Sequence, residues 1–165
     1  CKTGLGTVSG LVVGGCVIVT QPGAPNHGSV DRIPVPSNHH IVAGVFQPRL
    51  TKGFLESAEK REVINEWGQR TLQKIMAEPS LSNFLRSSRE FAFKTRLATD
   101  RVKRLMYAAE EAGAVGAAQN MLGEAVHTVV EENKVKKVVR AFERFLPREK
   151  IVVARICLHG AHLAN

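Results

Sequence analysis

With 165 residues, 44% of them hydrophobic, the chain can bury one substantial core, and a single domain over residues 1–165 is expected. No stretch approaches the roughly 20 uncharged apolar residues that a spanning helix needs, and no charged-then-apolar leader opens the chain, so a cytoplasmic setting without membrane contact is expected. The net charge of +8 is spread along the chain, with three basic and one acidic residue in 1–50, twelve and nine in 51–112, and eight and five in 113–165; the denser stretches Lys94 to Arg104 and Lys134 to Lys150 are not interleaved with exposed aromatics that could stack bases, which argues against a nucleic-acid partner.

The first ten residues, CKTGLGTVSG, set Gly4, Gly6 and Gly10 among Thr3, Thr7 and Ser9. A loop of this composition presents backbone N–H groups and hydroxyls to an anion. The glycine-interrupted run Leu11 to Thr20 reads as strand, firmest over Cys16 to Thr20, and Gln21 to Pro25 ends it. A second strand is predicted from Ser29 to Val35 and a third from Ile41 to Phe46, the three close enough to form an antiparallel meander. From Thr51 the period becomes helical. Ile64, Trp67, Leu72, Ile75 and Met76 mark one buried face up to Pro79; Leu81, Phe84, Leu85, Ser88, Phe91 and Ala92 mark the next, begun by Ser80. Thr99 caps a third helix with Val102, Leu105, Met106 and Ala109 inward and Gly113 as its C-terminal cap. Gly113 to Gly123, GAVGAAQNMLG, reads as a second small-residue loop. Ala125 to Val130 is a strand, Asn133 caps a helix with Val135, Val138, Val139 and Phe142 inward, and Lys150 to Leu158 is the last strand. The order βββαααβαβ predicts an α+β sandwich with helices on one side of a mainly antiparallel sheet.

Cys1, Cys16 and Cys157 are an odd number, and Cys16 and Cys157 fall in apolar strand-like runs, so buried reduced thiols are expected. The tail Cys157-Leu158-His159-Gly160-Ala161-His162 supplies at most three metal ligands and lacks a second pair at zinc-finger spacing, so no metal site is predicted.

The run KTGLGTVSGLVVGGCVIVTQPGAP, followed by GSVDRIPVP and later by GAAQNMLGEAVHTVV, resembles the C-terminal half of archaeal pantoate kinases, a family within the GHMP kinase superfamily. The resemblance implies a ferredoxin-like C-terminal domain and an enzyme that phosphorylates pantoate with ATP and Mg²⁺ on the archaeal route to coenzyme A. The superfamily's main ATP-phosphate loop, of the form PxxxGLGSSAA, lies in the other half, so the resemblance implies that the N-terminal half is a partner, that it brings the Mg²⁺ ligands, and that this chain alone is inactive. A homodimer is left open.

In many GHMP kinases an Asp follows the Gly-rich turn, and its position here corresponds to Thr7, which is the catalytic candidate through its hydroxyl. Lys2, Gly4, Gly6 and Ser9 are expected at the substrate end of the cleft. Thr51 and Lys52, a hydroxyl and an ammonium after the third strand, are further substrate-binding candidates. The second loop resembles the superfamily's third motif, in which Gly116 and Gly123 let backbone approach substrate and nucleotide phosphates and Gln119 and Asn120 hydrogen-bond a ligand. The competing reading is a non-enzymatic basic α+β module binding a ligand or RNA. Exposed strand aromatics would favour it, and Phe46 is the only aromatic in the predicted strands.

Overall fold

A computed structural model of the chain describes residues 5–21, 23, 27–47, 57–120 and 123–162. Helix α1 covers Leu5–Val13 and is followed by strands β1 (Cys16–Gln21), β2 (Ser29–Ile33) and β3 (His39–Gln47); helices α2 (Ala58–Ala77), α3 (Leu81–Lys94) and α4 (Asp100–Glu111) come next. Strands β4 (Gly116–Gln119) and β5 (Glu124–Glu131), helix α5 (Val135–Glu143) and strand β6 (Ile151–Arg155) complete the order. The α+β class and the mainly antiparallel sheet are as expected.

The opening residues depart from expectation. Gly6, Thr7, Ser9 and Gly10 belong to a helix, which runs on through Leu11–Val13 where a strand was expected. Glycine costs a helix interior about 1 kcal/mol each, and α1 contains two of them, Gly6 and Gly10. It ends where Gly14 N–H donates to Gly10 O at 2.9 Å and both Gly14 and Gly15 take φ +73, a conformation open to glycine and costly to other residues.

The meander is also replaced. β1 and β2 form their own hairpin, with Cys16 opposite Ile33, whereas the other strands form a four-stranded antiparallel sheet in the order β4-β5-β3-β6. β3 has both edges occupied, by β5 (Ala43 opposite His127) and by β6 (Gly44 opposite Ile151), so it has no edge left for β2. The second small-residue loop contains a strand: Gly116, Ala117 and Ala118 are buried in β4.

Side-chain alternation divides the sheet into two faces. Val42, Ala117, Val126, Val130 and Ile151 meet Val102, Leu105, Met106 and Ala109 of α4 and Val138, Val139 and Phe142 of α5. Ile41, Ala118 and Val129 meet Ile18 and Ile33 of the hairpin, Leu81 and Leu85 of α3, and Ile75 of α2. Because β5 is covered on both faces, it reads as a nearly continuous apolar run. Gly44 is required by packing: a Cβ there would lie 2.6 Å from Leu146 Cδ1 and 2.7 Å from Phe142 Cδ1.

Helix α2 buries less than its periodicity predicts. Ser57 Oγ accepts from Lys60 N–H at 3.4 Å to cap it, but Ile75 is its buried residue and Met76 is exposed. α2 packs along α3. Trp67 lies half-buried, with the Arg70 guanidinium 5.2 Å and the Lys94 ammonium 5.4 Å from its ring centroid. Ser80 caps α3 as expected, accepting from Asn83 N–H at 3.2 Å, and the Asn83 amide closes the α2–α3 turn by donating to Lys74 O at 2.9 Å and Glu78 O at 2.8 Å. Thr99 is at the N-cap position of α4 without making a capping bond, and Asn133 lies inside a short 3₁₀ turn before α5 and does not cap it.

Candidate active site

On the hairpin side of the sheet lies an apolar cavity of about 630 Å³. Gly10 and Leu11 of α1, Ile41 and Val129 of the sheet, and Leu81, Phe84 and Leu85 of α3 contribute to its wall, and the segment after β6 runs across its mouth. That segment leaves the sheet after Arg155 and is tied down by two backbone bonds, Gly15 N–H to Cys157 O and Ala161 N–H to Leu11 O, both 2.7 Å. The expected strand therefore stops three residues short of Leu158. A concave, mostly apolar pocket with few polar groups is the usual form of a small-molecule site.

The titratable groups on its wall are Cys16, His127, Cys157, His159 and His162. Burial pushes the Cys16 thiol up to about 11, so it stays protonated near neutrality and is no nucleophile. Cys157 Sγ donates to His159 O at 3.2 Å. His127, half-buried in the middle of β5, is held below the ordinary histidine range by desolvation, so its ring is neutral near pH 7. Its Nδ1 meets Asn120 Oδ1.

The β4–β5 turn beside this pair is clamped from several directions. Asn120 N–H donates to Ala125 O at 2.9 Å and Gly123 N–H to Asn120 O at 3.1 Å. The Gln119 amide spans the turn, donating to Gly123 O at 2.9 Å and to Leu97 O at 3.4 Å. At the start of β5 the buried Glu124 takes two bonds from the Arg101 guanidinium, one of them at 3.0 Å from Nε. Arg101 in turn sits 5.1 Å from the centroid of Phe46. The Arg101 hydrogen bonds hold the Glu124 carboxyl below the usual carboxylate range against the opposing effect of burial, with smaller help from Thr99 and Gln47.

These contacts reassign several residues. Gln119 and Asn120 stand at the turn, with Gln119 bracing it and Asn120 holding His127. Gly116 faces α3, where a Cβ would lie 2.8 Å from Leu85 Cβ, so its small size serves packing of α3 on β4. At Gly123 an added Cβ would meet Asn120 O at an ordinary 3.5 Å. Gly6 and Ser9 ride on α1, and Gly10, one residue beyond Ser9, reaches the cavity wall. Thr7 lies in the same helix. Lys2, Gly4, Thr51 and Lys52 fall outside the described residues. The His127–Asn120 pair and the Arg101–Glu124 bridge were not picked out from sequence; a histidine alternating with Ala125 and Val129 toward one face of an otherwise apolar strand is the signal that marks the first. Phe46, the aromatic that would have served a base-stacking sheet, packs against the core beneath Arg101.

The fold has solved counterparts. A protein described as a phosphotransferase related to the coenzyme A biosynthesis pathway superposes with TM-score 0.79 at 20% identity, over 93% of this chain and 49% of that one. Homoserine kinase from Cytophaga hutchinsonii superposes with TM-score 0.59 at 16% identity, over 93% of this chain and 52% of that one. No protein-family model matches the chain. These counterparts share the fold, and sequence identity to a pantoate kinase makes the chain a member of the GHMP kinase superfamily. Within it, the chain is related to pantoate kinase: that enzyme from Methanocaldococcus jannaschii is 32% identical over 136 residues, 82% of this chain and 49% of the relative. The chain thus spans about half the length of the curated relative it matches.

Proposed function

We propose that the chain is the C-terminal portion of an ATP-dependent kinase that phosphorylates pantoate, giving 4-phosphopantoate and ADP on the archaeal route to coenzyme A. The observation that carries this reading is the 32% identity to the Methanocaldococcus jannaschii pantoate kinase over most of the chain. The apolar cavity agrees with it, because pantoate is a small hydroxy acid whose carbon skeleton bears two methyl groups.

In this reading Lys2, Gly4, Gly6 and Ser9 line the substrate end of the cleft, with Thr51 and Lys52 beside it. The β4–β5 turn, with Gln119, Asn120 and Gly123, borders substrate and nucleotide, and Gly116 opens the strand that leads into it. Thr7 positions the substrate through its hydroxyl, since an unassisted threonine hydroxyl is far too weak an acid to serve as a base near neutrality. In the same reading the ligands of the Mg²⁺ that accompanies ATP come from the remaining half of the enzyme, which is also the partner this chain needs for turnover. Loose phosphoryl transfer relies on positioning and electrostatics, which a cleft between two halves supplies. An ATP-consuming small-molecule kinase of this kind works in the cytoplasm.

The test is a coupled assay of ADP release. The chain joined to its complementary half should release ADP in a pantoate-dependent manner, and the 165-residue chain alone should not. Steady substrate-dependent turnover by the isolated chain overturns the reading that it is a portion.

A further inference from the structure

Of the polar side chains on the cavity wall, His127 belongs to the sheet, whereas His159 and His162 lie exposed on the segment crossing the mouth. No Asp, Glu, Lys or Arg lines the cavity among the described residues. The other titratable neighbours are the Cys16 thiol, kept protonated by burial, and the Cys157 thiol, engaged with His159 O. His127 is also held by a second side chain, Asn120. With the Asn120 amide oxygen as the acceptor in this contact, Nδ1 of His127 is the donor and Nε2 of the neutral ring carries a lone pair. A half-buried imidazole on the cavity wall, with one nitrogen held by Asn120 and a lone pair on the other, can receive a hydroxyl.

Resting on the kinase reading above, the geometry points to the Asn120–His127 pair as the group that receives the hydroxyl of the phosphate acceptor. Nε2 accepts a hydrogen bond from that hydroxyl. As the hydroxyl oxygen bonds to the γ-phosphorus of ATP, the bond from that phosphorus to the bridging oxygen breaks, ADP leaves with the electron pair, and the hydroxyl proton passes to Nε2. The resulting imidazolium keeps its Nδ1–H on Asn120 Oδ1, which orients the ring throughout. Burial matches this duty, because it keeps the ring unprotonated and ready at neutral pH.

The experiment is steady-state kinetics of the joined kinase with ATP and pantoate over a range of pH, for the unmodified protein and for His127→Gln and Asn120→Asp, with melting temperatures recorded. His127→Gln should lower kcat by about 100-fold or more with KM changed by about threefold or less, the signature of a lost proton acceptor. In the unmodified protein kcat/KM should fall on the acid side, below the ordinary histidine value of about 6.5, and His127→Gln should lose that limb. Asn120→Asp should move the limb to higher pH, because a carboxylate on Nδ1 stabilises the imidazolium. If His127→Gln keeps full kcat and the acid limb, the inference is overturned while the kinase reading stands. If His127→Gln does not fold, an acid limb unmoved by Asn120→Asp overturns it equally. If the unmodified joined protein shows no pantoate-dependent ADP release, the kinase reading itself fails and the inference with it.

Discussion

The two faces of the four-stranded sheet are built from alternate residues of the same strands and do opposite things. Toward α4 and α5, Val42, Val126, Val130 and Ile151 close against Phe142 and Leu105 with no exposed member. Toward the hairpin, Ile41 and Val129 are joined by His127, and the covering pieces stand off far enough to leave the cavity. The difference is in what covers each face. Two amphipathic helices pressed flat against a sheet fill every space, whereas a short hairpin, the start of α3 and a crossing backbone segment make a frame. A strand such as β5 can therefore serve stability with one set of side chains and chemistry with the other, and mutations on the two faces should separate cleanly.

The largest effect is expected on the packed face. Gly44→Val sets a branched side chain into space already held by Phe142 and Leu146, and the relief of that clash requires α5 to lift from the sheet. Overpacking costs about 1–3 kcal/mol and displacement of a core aromatic about 3–5 kcal/mol, so the variant should fail to fold or lose most of its stability in a denaturant titration. Normal stability would mean that the two faces are not as different as described.

A smaller effect is expected at the clamp between them. Glu124→Gln weakens the bridge to Arg101 and should cost about 1–3 kcal/mol. The sign with pH is specific. The folded Glu124 carboxyl titrates below its ordinary value of about 4.3, so its contribution is complete above that pH and is lost as pH falls through the lowered folded value. The unmodified chain should therefore lose stability more steeply than Glu124→Gln below about pH 4, measured as melting temperature against pH.

The smallest effect tests the cavity side. Thr7→Val in the joined kinase should lower kcat/KM by about tenfold or less, since one neutral hydrogen bond contributes roughly 0.5–1.5 kcal/mol. Thr7→Ser should be nearly silent. A loss of several thousandfold in a folded Thr7→Val protein would place proton transfer at Thr7 and remove it from His127.

Local signals were enough for α3, α4 and α5. Ser80 before Leu81, the Val102–Leu105–Met106–Ala109 stripe and Gly113 with φ +98 each follow from residue type and spacing, because caps and helix faces depend on neighbours within a turn or two. The opening glycines misled for the same reason in reverse: a Gly-rich composition signals a loop by local preference, whereas α1 lies beside β1, an element it meets only in three dimensions, with Gly10 next to Val17. Strand content in residues 16–47 was also legible, but strand pairing was not, since β3 takes its partners from residues 116–155 and nothing near His39–Gln47 in sequence records that choice. By itself, then, the sequence determined the α+β class, three helices with the Ser80 cap and the Gly113 stop, and the kinase resemblance carried in the two glycine-bearing segments. Only the tertiary structure decided that Gly116 serves packing, that Glu124 pairs with Arg101, and that His127, an unremarked residue of an apolar strand, meets Asn120 at a cavity wall. Those pairings join residues 7 to 23 positions apart through strand register and helix placement, and such geometry exists only once the sheet has formed.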